Sequence, residues 1–432
     1  MHQRVTIGTR SRTPKIITTV ASHSRQQQRC VSHIPQKHVG MFTGVVGCKG
    51  DGARRSACTR AAGAIEATLP LSEALPFVLS HIYPHYLLPL LGGLTLGVLV
   101  VGQLIISGKV VGISGAVRGL VEGQRTPWRV FFVGGLIVGG MMLRFSLFPG
   151  AFGPDPIYTT AAESAELVAS GMWRLGAAGL LVGVGTSLGN GCTSGHGICG
   201  NARLSLRSFI STCTFMLFGA MAAAALNTTR FEGLPLGFIV PPVPEQEMVT
   251  LATRVLGAAT AFIVTMASVT HLWADQGKAK VVAFAQDVTD FGVGLFFALG
   301  LGISGMTQPS KVAGFLGILA GTFDASLMFV MGGALLLALP GYQYVLRSGR
   351  VNHPMACSAF SLPTSKEINL QLVGGSAIFG LGWGLAGLCP GPGLVGLASF
   401  SASNLTFVGS MLMGMALVKT IQRMQAASFT NV

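Results

Sequence analysis

The chain has 432 residues, half of them hydrophobic, with 60 glycines and charged side chains at only 10% of positions. This composition lies outside the range of soluble globular proteins and is typical of a protein that crosses a membrane several times. The net charge of +14 comes mainly from the first 60 residues, and no basic patch with interleaved aromatic residues follows them, so we expect no nucleic-acid partner.

The first element in chain order is a basic leader over residues 1–80. Its first 60 residues hold eleven Lys or Arg and one acidic residue, Asp51. Such a basic, acid-poor segment is typical of an organelle transit peptide; a disordered cytosolic tail is the alternative. Cys30, Cys48 and Cys58 lie in this leader, and the eight cysteines include no CxxC pair, so they do not predict a disulfide scaffold.

Nine apolar stretches follow, each long enough to cross a hydrocarbon core of about 30 Å. They lie at 86–106, 129–148, 172–190, 206–226, 251–273, 290–306, 314–339, 371–388 and 402–420. The pattern predicts an all-α integral membrane protein with about nine transmembrane helices. We expect two halves, 86–226 and 290–420, joined by a connecting helix at 251–273.

The loops between these stretches alternate in charge. Basic loops such as 107–128 and 274–289 alternate with acidic ones such as 149–171 and 227–250. The positive-inside rule then places the C-terminus on the cytoplasmic or matrix-like side. The expected location is the lipid bilayer of the plasma membrane or of an organelle inner membrane.

Short motifs recur in the two halves. GKVVGISGAVRG at 108–119 is echoed by GLGISGMTQPSKVAG at 300–314, and GCTSGHG at 191–197 by GLCPGPG at 387–393. Because the connecting helix is a single span, the second half is expected to be inverted relative to the first. Inverted repeats with broken or re-entrant helices are a recurring architecture of transporters.

The break around Cys192 is the first candidate site. Glycines on both sides of it free backbone groups at membrane depth, which is tolerated only where the backbone lines a cavity. The amide groups from Thr193 to Gly195 and the Ser194 hydroxyl could hold a small oxyanion, and His196 could donate beside the path. The alternative is a packing turn whose cysteine is one more buried thiol.

The break around Cys389 differs from the first, because Pro390 and Pro392 have no N–H group to offer. The thiol is then the main polar contact. A thiol is a weak donor and a soft, polarizable partner. This break therefore suits a ligand that carries sulfur better than it suits a phosphate.

Three cations complete the predicted site: Lys109 and Lys311, each beside a GISG turn, and Arg203 after the first break. They would raise the local anion concentration; snorkelling at the interface is the alternative. Cys192, His196 and Cys199 have a spacing that metal ligands could use, but a fourth ligand is missing. We expect no metal and no cofactor.

Three strings carry a resemblance to a known family: GISGAVRGL at 112–120, NGCTSGHGICGNARLS at 190–205 and GLCPGPGLVGLAS at 387–399. They resemble the YeeE/YedE sulfur-transport membrane proteins over residues 86–420. The resemblance implies that thiosulfate is handed between the thiols of Cys192 and Cys389 through weak hydrogen bonds. Family members known for thiosulfate uptake have a further cysteine near the first turn, and the stretch 109–114 has none.

The expected function is transport of a small inorganic sulfur anion, most simply thiosulfate, rather than an enzymatic reaction. Two alternatives stay open. One is a carrier of sulfite or a selenium compound; the other is a membrane sulfurtransferase or thiol oxidoreductase in which Cys192 becomes a persulfide. A soluble sulfur-carrier protein is a partner that this function would admit.

Overall fold

The computed structural model describes residues 84–147, 165–225 and 245–430, and the leader lies outside these ranges. Within them the chain forms nine long helices, four short ones, three further single turns that extend neighbouring helices (Leu143–Leu147, Gly317–Leu319 and Leu397–Ser399) and no β-sheet. The long helices are α1 (Pro84–Ser107), α2 (Pro127–Met142), α3 (Ala165–Leu188), α4 (Leu206–Ala225), α5 (Glu245–Asp275), α6 (Ala279–Ile303), α7 (Ser326–Arg347), α8 (Leu370–Ala386) and α9 (Ala402–Thr430). The short helices are h1 (Ile113–Val121), h2 (Thr193–Gly200, wound as a π-helix), h3 (Pro309–Leu316) and h4 (Pro390–Gly396).

Seven of the described helices are long and apolar enough to cross a membrane by themselves. Two further spans arise if a long helix and the short helix after it are counted together. These pairs are α3 with h2, bent by 44°, and α8 with h4, bent by 42°. The prediction of an all-α membrane protein with broken helices is confirmed.

Two predicted stretches differ from the helices that form. The stretch 290–306 belongs to α6, which begins eleven residues earlier because polar residues such as Asp290 are buried within it. The stretch 314–339 runs across a real interruption, since α7 begins only at Ser326, whose N–H bonds to the Asp324 carboxylate at 2.8 Å. That helix also continues past Pro340 to Arg347, where the sequence suggested an end.

Helix contacts are paired between the two halves. Helix α1 packs along α7 as α6 packs along α2, and α3 packs along α9 as α8 packs along α4. Exchanging the halves therefore reproduces the same set of contacts. Helix α5 packs on α1 and α6 and has no counterpart among the described helices.

Equivalent helices run in opposite directions. On α1, Gly92 lies against Ser304 of α6 while Gln103 contacts Asp290, so the two helices are antiparallel. Helices α3 and α8 cross in the same antiparallel sense, and a Cβ added to Gly185 would lie only 2.2 Å from the backbone nitrogen of Phe379. The contacts are those of two inverted halves whose broken helices meet backbone to backbone.

The register between the halves differs from the one that the GISG motifs suggest. Helices α1 and α6 each end on a Ser-Gly pair, and Gly108 and Gly305 have positive φ angles of 66° and 74°. The same number of residues separates these two glycines as separates Cys192 from Cys389. In this register the first GISG begins h1 whereas the second ends α6, so Lys109 and Lys311 do not occupy matching places.

Candidate functional site

The two helix breaks are built alike. Helix α3 is followed by Asn190 and α8 by Gly387, which have φ angles of 59° and 65°. This left-handed conformation ends a helix, and it comes most easily to glycine and next to asparagine. Two residues after each turn, Cys192 and Cys389 stand at the residue before h2 and h4 begin. Each cysteine is therefore held at the positive end of a short helix.

A narrow cavity lies where the breaks meet. Its walls include the first residues of three short helices: Ile113 of h1, Thr193 and Ser194 of h2, and the first turn of h4. Both cysteines line it, and the remaining wall is apolar, formed by Leu96, Ile198, Phe297, Leu301, Met306, Val330 and Met331. Its free interior is about 20 Å³, little more than the roughly 10–15 Å³ that one water molecule needs. An anion larger than water therefore requires this cavity to widen.

Each thiol is hydrogen-bonded to a hydroxyl group of h2, and for Cys389 this bond crosses between the two halves. The Thr193 hydroxyl donates to the Cys389 sulfur at 3.6 Å, so h2 of the first half touches the break of the second. The Cys192 sulfur lies 3.3 Å from the Ser194 hydroxyl oxygen, which in turn accepts the N–H of Ile113 at 3.3 Å. The two thiols, both 2% exposed, thus each contact a hydroxyl group of h2 in an otherwise apolar cavity.

Two other residues of the h2 motif do not line the cavity. The His196 ring spans the break itself, with Nδ1 3.0 Å from the Ser208 hydroxyl and Nε2 3.1 Å from the Gly189 carbonyl. Because a carbonyl only accepts, Nε2 carries the proton in this arrangement. Gly195 lies on the first turn of h2, and a Cβ there would meet no atom within 4 Å.

The three predicted cations also lie away from the cavity wall. Lys109 forms an ion pair with Asp290 at 3.1 Å, and Arg203 donates to the Pro363 carbonyl at 3.0 Å. The Lys311 side chain folds over Gly305. Lys109 and Arg203 are thus engaged with other parts of the protein, and none of the three cations is among the residues that line the cavity.

Arg118 of h1 is a cation near the first break that the motif search passed over. Its guanidinium donates to the Ser187 carbonyl at 3.1 Å and to the Asn190 side-chain oxygen at 2.6 Å. It therefore holds h1 against the left-handed turn that precedes Cys192. The signal was present in the sequence, because Arg118 belongs to the GISGAVRGL string.

Metal binding finds no support in the part of the chain that the structure describes. No three His, Cys, Asp or Glu side chains cluster there as metal ligands would. The second cysteine of the first motif, Cys199, is fully buried and donates to the Val111 carbonyl at 3.2 Å. Cys213 is exposed on α4.

Comparison with known proteins identifies both halves. Residues 66–222 match a family described as sulphur transport, and residues 286–429 match a family of unknown function, DUF6691. A probable transporter of Xylella fastidiosa strain Temecula1 is 44% identical over 122 residues, which are 28% of this chain and 80% of the relative. A second probable transporter of that strain is 41% identical over 143 residues, 33% of this chain and 96% of the relative.

The chain belongs to the YeeE/YedE sulfur-transport family. Its described helices and these relatives make it a multi-pass membrane protein that transports sulfur species. Each of the two Xylella relatives matches about a third of this chain, whereas this family member carries the sulphur-transport match and the DUF6691 match on one polypeptide. Helix α5 lies between the two matched regions.

Proposed function

We propose that the protein conducts thiosulfate through the cavity between the two breaks, with Cys192 and Cys389 as successive contacts for the terminal sulfur of the anion. The observation that carries the proposal is the pair of thiols lining one cavity. A thiol is a weak, soft partner, so each contact binds weakly enough for the ion to leave. No cofactor takes part.

The oxygens of the anion are assigned to h2. The N–H groups of Thr193 and Ser194, which line the cavity, and of Gly195, which lies behind them on the same turn, precede the first hydrogen bond of this helix, which His196 makes to the Cys192 carbonyl at 2.8 Å. Free amides at a helix N-terminus, together with its positive dipole end, favour an anion. Helix h4 offers fewer donors, because Pro390 and Pro392 have no N–H group, and there the thiol of Cys389 is the main contact.

The apolar wall supports a sulfur-bearing anion over one whose atoms are all hard oxygens. Phe297, Met306 and Met331 face the same space as the thiols. Stripping water from an anion is costly unless polar groups replace that water. A terminal sulfur can lie against this wall while the oxygens face h2, whereas sulfate would leave oxygens on the apolar side without partners.

Uptake of labelled thiosulfate by purified protein in sealed liposomes tests the proposal. Each thiol is worth about 0.5–1.5 kcal/mol as a weak hydrogen-bond partner, so Cys192→Ala and Cys389→Ala should each lower uptake roughly 2- to 12-fold. Cys199→Ala and Cys213→Ala are matched controls, since neither thiol lines the cavity. Equal uptake by all four variants would refute the role of the two thiols.

The same preparation separates the rival functions. Cys192→Ser keeps a hydroxyl but removes the soft sulfur, so a carrier that reads only oxygens, such as a sulfite carrier, would be spared by it. A sulfurtransferase or thiol oxidoreductase would instead leave a covalent sulfur adduct on Cys192 during turnover. Intact-mass analysis of protein recovered from working liposomes detects that adduct, and its accumulation at the turnover rate would overturn the transport mechanism.

A further inference from the structure

A second polar cluster lies outside the sulfur site. Asp290, near the middle of α6, has no exposed surface. One carboxylate oxygen accepts from Lys109 at 3.1 Å, and the other accepts from the side-chain amide of Gln103 on α1. Carboxylates within membrane spans are costly and are usually retained for a function.

Within the part of the chain that the structure describes, Asp290 is paired with one cation, Lys109. Lys109 also lies 5.7 Å from the centre of the Trp128 ring, and its side chain is 21% exposed. Asp287, one turn earlier on α6, interacts electrostatically with both Asp290 and Lys109. Charged groups on the neighbouring helices are engaged elsewhere: Arg129 with Gln124, Arg144 with the Phe145 ring, His271 with Asp275, and Glu247 and Arg254 at a separate surface pocket.

Gln103 can serve both protonation states of Asp290. Its amide nitrogen donates to the carboxylate, and its oxygen is buried and has no hydrogen-bond partner among the described residues. A protonated carboxyl group becomes a donor and needs an acceptor. Turning the Gln103 amide over supplies that acceptor, while Lys109 can turn its partly exposed ammonium to water. A purely structural ion pair would have no need of the free acceptor.

The cluster is also linked mechanically to the cavity. Lys109 begins the segment that leads into h1, and along this segment the Val111 carbonyl accepts from Cys199 of h2 and Ile113 reaches the cavity wall. On the other side, Asp290 is seven residues from Phe297 of the same wall, about 10 Å along the helix. Breaking the pair would free the start of h1 against h2.

We propose that Asp290 is a proton-binding site that couples one proton to each passage of the sulfur anion. Protonation converts the carboxylate to a neutral acid, releases Lys109 and lets h1 move so that the cavity widens; return of the proton to water re-forms the ion pair. One proton carried with a dianion also lowers the net charge moved across the membrane. This inference rests on the proposed function for its substrate.

Thiosulfate uptake by proteoliposomes under an inward proton gradient tests it, with thiosulfate exchange at equal pH as the second measurement. The wild-type uptake should be accelerated several-fold by the gradient and slowed again by a protonophore. Asp290→Asn should retain exchange but lose the acceleration, whereas Asp275→Asn, a control at a carboxylate that pairs with His271 instead, should behave as wild type. Acceleration that survives in Asp290→Asn, or that is missing from a wild type that does transport thiosulfate, overturns the proposal.

Two further measurements cover the remaining outcomes. If Asp290→Asn is misfolded, the double variant Lys109→Gln/Asp290→Asn leaves no unpaired lysine and takes its place. If the wild type moves no thiosulfate at all, the proposed function fails while the proton site is still tested by infrared difference spectra of the protein between acid and neutral pH. A carbonyl band of a protonated acid that vanishes in Asp290→Asn supports the site, and its absence from the wild type refutes it.

Discussion

Replacing His196 by alanine separates a ligand-binding histidine from one that holds the break together. The imidazole bridges the Ser208 hydroxyl and the Gly189 carbonyl, and it packs so closely on Gly191 that a Cβ there would lie 2.4 Å from the ring. In the variant both partners lose their hydrogen bond inside the protein. The turn before Cys192 also loses the ring that fills it.

The expected cost follows from these contacts. A buried polar group left without its partner costs about 1–3 kcal/mol, and two such groups together with the vacated volume give a loss of roughly 2–5 kcal/mol in the free energy of unfolding. His196→Gln should recover part of this loss, because its amide offers one donor and one acceptor. The maximal rate of thiosulfate uptake should fall, because a smaller fraction of the molecules keeps Cys192 in place.

The assay combines thermal unfolding in detergent with the KM and maximal rate of thiosulfate uptake. A histidine that contacts the anion predicts the reverse pattern: a raised KM with stability unchanged. Unchanged unfolding of His196→Ala would therefore refute the structural role assigned here. Ser208→Ala is the matched control, since it removes one of the two hydrogen bonds and should show a smaller loss of the same kind.

Three further predictions follow from single contacts. Thr193→Val removes the donor to the Cys389 sulfur and should lower uptake by less than tenfold, without a change in unfolding temperature, because a bond of 3.6 Å is long and weak. Gly375→Ala places a Cβ 2.2 Å from the Gly189 nitrogen and should destabilise the protein by about 1–3 kcal/mol through overpacking, measured by thermal unfolding; an unchanged protein would contradict the close helix approach. Arg118→Gln should lower the free energy of unfolding by about 1.5–3 kcal/mol, the range for hydrogen bonds to a charged group. Arg118→Lys should restore uptake only in part, because one ammonium group does not reproduce the two contacts that the guanidinium makes.

Much of the fold could be predicted because hydrophobic length and glycine placement are local signals. The seven unbroken spans and the two breaks followed from them. Cys192 and Cys389 were predicted to meet because an odd number of spans inverts the second half, and both line one cavity. Helix boundaries at Asp290 and Pro340 were misjudged, because packing against other helices, and not local polarity, decides whether such residues stay helical.

The cations illustrate what the sequence alone does not contain. Lys109 is four residues from the cavity along the chain, yet its partner Asp290 is distant in sequence and looked like a residue at the end of a span. Only the antiparallel crossing of α1 and α6 brings the two together. The two GISG motifs are likewise similar in sequence, but they do not occupy equivalent positions in the two halves. The equivalent residues are the left-handed glycines that end α1 and α6, Gly108 and Gly305, and sequence similarity alone does not identify them.

The register between the two halves also decides whether the first half contains a site equivalent to Asp290. The separation that relates Cys192 to Cys389 relates Gly93 to Asp290 and Lys109 to Met306. A Cβ on Gly93 would lie 2.2 Å from the Val330 carbonyl oxygen, so no carboxylate fits at the position equivalent to Asp290. Met306, in place of the lysine, forms part of the apolar wall. The two halves therefore share a backbone arrangement, but the charged pair of Asp290 and Lys109 occurs only once between them. Proton coupling at Asp290 has to use this one site, reached in turn from each face of the membrane.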